Sequence, residues 1–271
     1  GIGARCGPAL GLLALALAPG CGGSSSEEPT PTAALAGSIG AQSEFQGLLR
    51  DFARGSRDER LKMKTRLFAF RQAYALTPLA RTADALLAWV AMDEGALEQA
   101  LREASFVQGV TGAGTTSDLA KTVQGATLRR MGAPEQALEK LSPLVSKLID
   151  GYARALLNEE IVLAAIASKK WQRALSLMGV WLREAGVEEQ ALVKSKIERA
   201  LLEIPPEELL KSLSRARGIE VASFAEEEQA IRKLLARRLA AVARERRDAD
   251  LAQQLLQTSG ALLGDQGDAV A

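Results

Sequence analysis

Three stretches of this chain repeat at one fixed interval. Leu97-Glu98-Gln99-Ala100-Leu101, Pro134-Glu135-Gln136-Ala137-Leu138 and Trp171-Gln172-Arg173-Ala174-Leu175 align without gaps, and Ala100, Ala137 and Ala174 stand 37 residues apart. Twelve, nine and five residues before each alanine come Ala88, Ala91 and Gly95, then Gly125, Leu128 and Gly132, then Val162, Ala165 and Lys169. The pattern is that of a helical hairpin. A small side chain lies where the first helix is crossed closely, a turn residue follows, and the second helix presents Ala at its own crossing. A hairpin of this kind cannot bury its apolar face alone, so it stacks on copies of itself. Composition points the same way, with 48 Ala and 42 Leu against only 12 Val and 9 Ile, so helix formers greatly outnumber β-branched residues. Aromatic residues are 4% of the chain, which favours thin helix-on-helix layers sealed by Ala and Leu.

The repeat resembles the tetratricopeptide (TPR) family, with Gly125 at the small position of the first helix, Gly132 at the turn and Ala137 at the second crossing. It departs from that family in a period longer than about 34 residues and in having mostly Ala or Leu at the aromatic positions, Trp171 excepted. A fourth unit carries Ala200, a Pro205-Pro206 turn and Ser212-Leu213. A fifth starts near Glu226 and places Ala240, Ala243 and Ala252 at the matching offsets. The expected fold is all-α, a TPR-like right-handed solenoid of about five helical hairpins over residues 79–260. Before it, residues 43–78 read as one or two helices, with Ser43 as N-cap and Thr77-Pro78 closing the segment. The Gly-rich stretch Gln108 to Ser117 reads as a long inter-repeat loop.

Residues 1–20 read as a secretory leader. The apolar run Pro8 to Ala18 spans eleven residues, too short at about 1.5 Å per residue to cross a hydrocarbon core of about 30 Å. The run is followed by Pro19-Gly20-Cys21, which resembles the lipobox of bacterial lipoproteins, although Ala18 stands where that family has Leu. The resemblance implies cleavage between Gly20 and Cys21 and acylation of Cys21. With Gly22 rather than Asp next, it implies anchoring on the periplasmic face of the outer membrane. Residues 21–42, rich in Gly, Ser and Pro, read as a flexible tether, and residues 261–271 as a C-terminal linker. A Gly-punctuated end without a polar capping helix suggests a further domain beyond Ala271.

Several function classes lose their chemistry. The chain has no His and two Cys, which removes Ser/His/Asp and Cys/His nucleophile systems and His- or Cys₄-ligated metals. No metal or cofactor is expected. A net charge of +1 does not favour nucleic acid as a partner. Trp89 and Trp171 read as packing residues and Trp181 as a candidate for a partner surface. The basic run that includes Arg237 and Arg238 could meet an anionic partner or could form a solvated helix face.

The expectation that follows is a non-enzymatic, lipid-anchored scaffold docking a protein of the cell envelope. Its layout is similar to the N-terminal region of the penicillin-binding-protein activator lipoproteins, which implies a peptidoglycan synthase as partner and regulation of peptidoglycan synthesis. The rival class is a His-independent glycan-cleaving enzyme, which needs a Glu held in an apolar cleft with a raised pKa.

Overall fold

The structure, a computed structural model, describes residues 31–147, 149, 151–216, 225–245 and 249–263. The chain divides into two units, 1–37 and 38–271. Of the first, only the beginning of α1 is described, and the following account concerns the second. Every regular element among the described residues is a helix: α1 Pro31–Arg54, α2 Arg57–Lys62, α3 Lys64–Ala73, α4 Pro78–Glu94, α5 Leu97–Thr111, α6 Thr115–Arg130 and α7 Pro134–Leu141. A 3₁₀ turn at Ser142–Leu144 precedes α8 Gly151–Ala167, α9 Trp171–Glu184, α10 Gln190–Leu202, α11 Pro206–Ala216, α12 Ala225–Glu245 and α13 Ala249–Leu263.

The 37-residue register is written into the turns. Gly95, Gly132 and Lys169, one period apart, all have left-handed backbones, with φ of +91°, +83° and +57°. Each closes its helix with the same pair of hydrogen bonds. The turn residue donates to the carbonyl three residues back (Met92, Arg129, Ile166; 2.9–3.1 Å), and the next residue donates to the carbonyl five residues back (Ala91, Leu128, Ala165; 2.9 Å). This is the Schellman arrangement, which satisfies carbonyls that a helix end otherwise leaves orphaned. The residues that follow, Ala96, Ala133 and Lys170, share a ψ near +61°, and the next helix starts at once. Lys169 is the one non-glycine with positive φ among the described residues, and it sits at the position the two preceding units give to Gly.

Helix packing follows from the turns. α4 packs on α5, α6 on α7 and α8 on α9, while α4, α6, α8, α10 and α12 pack in succession. Ala88, Ala100, Ala137 and Ala174 are fully buried. Gly125 is needed for a close approach: a Cβ there would stand 2.5 Å from Leu141 Cγ, so α7 presses a leucine into the space a side chain would fill. The inner helices α4 and α8 are buried on most of their circumference, whereas α9 buries Ala174, Met178, Trp181 and Leu182, one i, i+4, i+7, i+8 stripe.

Several boundaries differ from the expectation. α1 begins at Pro31, so residues 31–42 of the expected tether are helical and Ser43 is an interior residue rather than an N-cap. Pro31 supplies the start, because its fixed φ suits the first turn and no amide is lost there. The segment 43–78 holds the rest of α1 together with α2 and α3. The inter-repeat loop shrinks to Gly112–Gly114, since α5 continues through Gly109 to Thr111 before the positive φ of Gly112 and Gly114 ends it. Ala240 and Ala252 are half-buried, and α12 packs chiefly through Leu235, Leu239 and Ala243. Residues 1–30, including Gly20 and Cys21, and residues 264–271 lie outside the described residues.

Candidate functional site

The helices α4, α6, α8, α10 and α12 pack one on the next. Charges on them pair across the period: Arg130 Nη2 lies 2.7 Å from Asp93 Oδ1, and Lys196 Nζ 2.6 Å from Glu159 Oε2. In both pairs the partners are 37 residues apart, at equivalent positions of neighbouring first helices. Sequence reasoning missed these pairs, although opposite charges one period apart were a usable signal.

The chain running from the end of α1 into α2 is fastened to α4. Asp93 is fully buried in the last turn of α4 and receives Arg60 Nε at 2.7 Å in addition to Arg130. Arg57 Nε donates to the Asp93 carbonyl at 2.8 Å. Guanidinium groups at a helix C-terminus satisfy its orphan carbonyls and its negative dipole end. Arg60 also lies over the rings of Phe52 and Trp89, 5.8 and 5.9 Å from their centroids. A local capping box sets α2, with Ser56 N–H donating to Glu59 Oε2 at 2.6 Å. That backbone donor, helped by the Ser56 side chain, holds the Glu59 carboxyl below its ordinary range.

The same segment reaches far along the chain. Arg54 pairs with Glu188 and Glu189 at 3.5 and 3.4 Å and lies 5.8 Å over the Tyr152 ring, and Lys196 also donates to the Ala53 carbonyl at 3.4 Å. Residues 53–60 therefore touch α4, α8, α10 and the turn before α10.

Beside Lys196 a cleft of about 370 Å³ opens between α8 and α10. Leu163, Ile166 and Trp181 supply apolar lining, and Arg129, Arg199 and Glu203 supply charge. Arg129 is engaged by the buried Glu160 at 2.8 Å, whereas Arg199 and Glu203 make no ion pair among the described residues. Trp181, expected on a partner surface, is only 3% exposed; it belongs to the packed stripe of α9 and reaches the cleft from below. Its indole Nε1 is buried and has no hydrogen-bond partner among the described residues. Of the basic run on α12, Arg237 is exposed and Arg238 half-buried, its Nε without a hydrogen-bond partner among the described residues. Trp89 is buried in the core that includes Phe52 and Phe70, and Trp171 packs against a separate core that includes Ala174 and Met178.

On the opposite flank of α8, Arg154 holds Glu184 through two contacts of 2.6 and 2.7 Å, and Asn158 donates to the same carboxylate at 2.7 Å. Burial pushes the Glu184 pKa upward, but Arg154 and Asn158 outweigh it and leave the group below its ordinary value. Among the described residues no helix is long and apolar enough to cross a membrane, and no three His, Cys, Asp or Glu side chains are grouped to hold a metal ion.

These elements define an all-α protein with an open cleft between α8 and α10. Compared with known proteins, the chain matches no family model, no curated protein and no solved structure.

Proposed function

We propose that this chain is a scaffold of the bacterial envelope, anchored to the outer membrane through acylated Cys21 and docking a periplasmic protein on the face of α6, α8 and α10. In this proposal the pairs α4–α5, α6–α7, α8–α9 and α12–α13 are TPR-like hairpins of a right-handed solenoid, and α10 with α11, which packs on α9 and α13, makes the least regular of five units. The observation that carries the reading is the thrice-repeated turn in a 37-residue register, which aligns the first helices into one face. Solenoids bind along such faces. The α8–α10 cleft supports it further, because it combines apolar lining with a cation and an anion, Arg199 and Glu203, that make no ion pair among the described residues. A binding role is favoured over glycan cleavage because, of the two carboxylates lining the cleft, Glu159 is engaged by Lys196 at 2.6 Å and Glu203 is exposed, so neither is a lone acid buried among apolar side chains.

A photo-crosslinking residue placed at Arg199 tests the docking face in cells. The expected result is a discrete crosslinked protein that is lost when the crosslinker is moved to Glu98 on α5; equal labelling from both positions, or none from Arg199, overturns the docking site. For the anchor, Cys21→Ser is expected to release the protein from membranes, and a mature wild-type chain without a diacylglyceryl mass would contradict it.

A further inference from the structure

α6, α8 and α10 hold cations against acids of neighbouring helices: Arg129 against Glu160, Arg130 against Asp93, Arg154 against Glu184 and Lys196 against Glu159. α12 is different. From residue 233 to residue 244 it carries Lys233, Arg237, Arg238 and Arg244 and no acid. Lys233, Arg237 and Arg244 are exposed and make no ion pair among the described residues. Glu245 and Asp250, the acids that follow in the described chain, are exposed and pair with none of them. A solvated face stitched by local pairs was the other outcome the sequence allowed, and the register opposes it. Within α12 the residues three and four places from these cations are Ala, Leu, Gln or one another, so no acid stands where a helix could pair it. Lys233 and Arg237 are themselves four apart, a like-charge pair that works against the helix carrying it.

The three exposed cations fall at i, i+4 and i+11, one stripe along about 16 Å of helix axis. Leu235, Leu239 and Val242, buried against neighbouring helices, take the opposite side. The stripe therefore points straight away from the packed face. Ala241 is exposed beside it, and no large apolar side chain of α12 is exposed among the described residues. Protein interfaces draw their energy from anchors seated in desolvated pockets, and this face offers neither an apolar anchor nor a cleft. Its charges can only add. Addition is effective against many negative charges spread over a plane, as on an anionic bilayer, where each nearby Lys or Arg strengthens the attraction. A nucleic acid calls for far more positive charge than the +1 of the whole chain.

We propose that α12 docks the protein on an anionic lipid surface, with Lys233, Arg237 and Arg244 against the headgroups. The stripe shares no residue with the α8–α10 cleft and needs no acyl chain, so it stands or falls independently of the docking face and of Cys21.

The test uses the full chain carrying Cys21→Ser, sedimented with vesicles of phosphatidylcholine alone or of phosphatidylcholine mixed with phosphatidylglycerol. Any contribution of the apolar run at residues 8–18 is common to both. The chain is expected to partition more strongly onto the mixed vesicles, and the excess is expected to vanish at high salt. Lys233→Gln, Arg237→Gln and Arg244→Gln are each expected to weaken that excess by about fivefold, with thermal melting unchanged because the side chains are exposed. Arg102→Gln on α5 removes the same charge elsewhere and is expected to leave partitioning as it was. Equal partitioning onto both vesicles overturns the proposal, as does an Arg237→Gln chain that behaves like the parent or an Arg102→Gln chain that loses as much. Retention through Arg237 on immobilised poly-glutamate without binding to the mixed vesicles also overturns it, since the partner would then be an acidic protein.

Discussion

At the residue scale, Gly125 and Asp93 carry the heaviest constraints. Leu141 fills the space over Gly125, so even the smallest side chain forces the α6–α7 crossing apart. Gly125→Ala is expected to cost about 1–3 kcal/mol in urea denaturation, and Leu141→Ala placed in the same chain is expected to cost less than it does alone. Asp93 accepts Arg60 and Arg130 from two different helices without contact with water. Asp93→Ala strands two guanidinium groups, and a loss of about 3–5 kcal/mol is expected; a change under about 1 kcal/mol would mean that the cluster is incidental. Trp181 illustrates what was legible at this scale. Its neighbours Arg183 and Glu184 suggest a surface, but the spacing from Ala174 and Met178 already marks the buried stripe of α9.

At the element scale, the turns were legible and the ends of the long helices were not. A Gly in the left-handed region closes a helix for a reason that belongs to the residue itself, so Gly95 and Gly132 could be read directly. The start of α1 at Pro31 and the reach of α5 through Gly109 depend on packing that outweighs a weak local propensity, and no local signal announces it. The α8–α9 pair offers a pH test. The Glu184 carboxyl has its pKa lowered in the folded chain by Arg154 and Asn158, so its contribution is fully present above the ordinary glutamate value of about 4.5 and is lost as pH falls through the lower folded value. Glu184→Gln is expected to lower the melting temperature at neutral pH, with the gap from the parent closing as pH drops below about 4.5. A gap that is constant with pH would remove the ion pair from the account.

At the scale of the whole molecule, the register organises the fold and the segment 53–60 ties it across units. Repeats in a simple stack touch only their neighbours. Arg54 instead reaches Glu189, 135 residues away. Because Arg54 is partly exposed, Arg54→Ala is expected to change global stability by under about 1 kcal/mol while raising amide hydrogen exchange in α10; unchanged exchange would show that the brace carries no load. Nothing in the sequence announces this brace, because it joins segments that share no period. The register itself could be read because three independent demands recur together: a small residue at the crossing, a left-handed turn and Ala on the second helix. Its most direct test is a reciprocal exchange at the turn. A Cβ at Gly132 would meet no atom within 4 Å, so backbone conformation alone sets the cost there. Urea denaturation is expected to show Lys169→Gly more stable by about 1 kcal/mol and Gly132→Lys less stable by about 1–2 kcal/mol. A neutral or destabilising Lys169→Gly together with a tolerated Gly132→Lys would contradict the shared turn and the 37-residue register built on it.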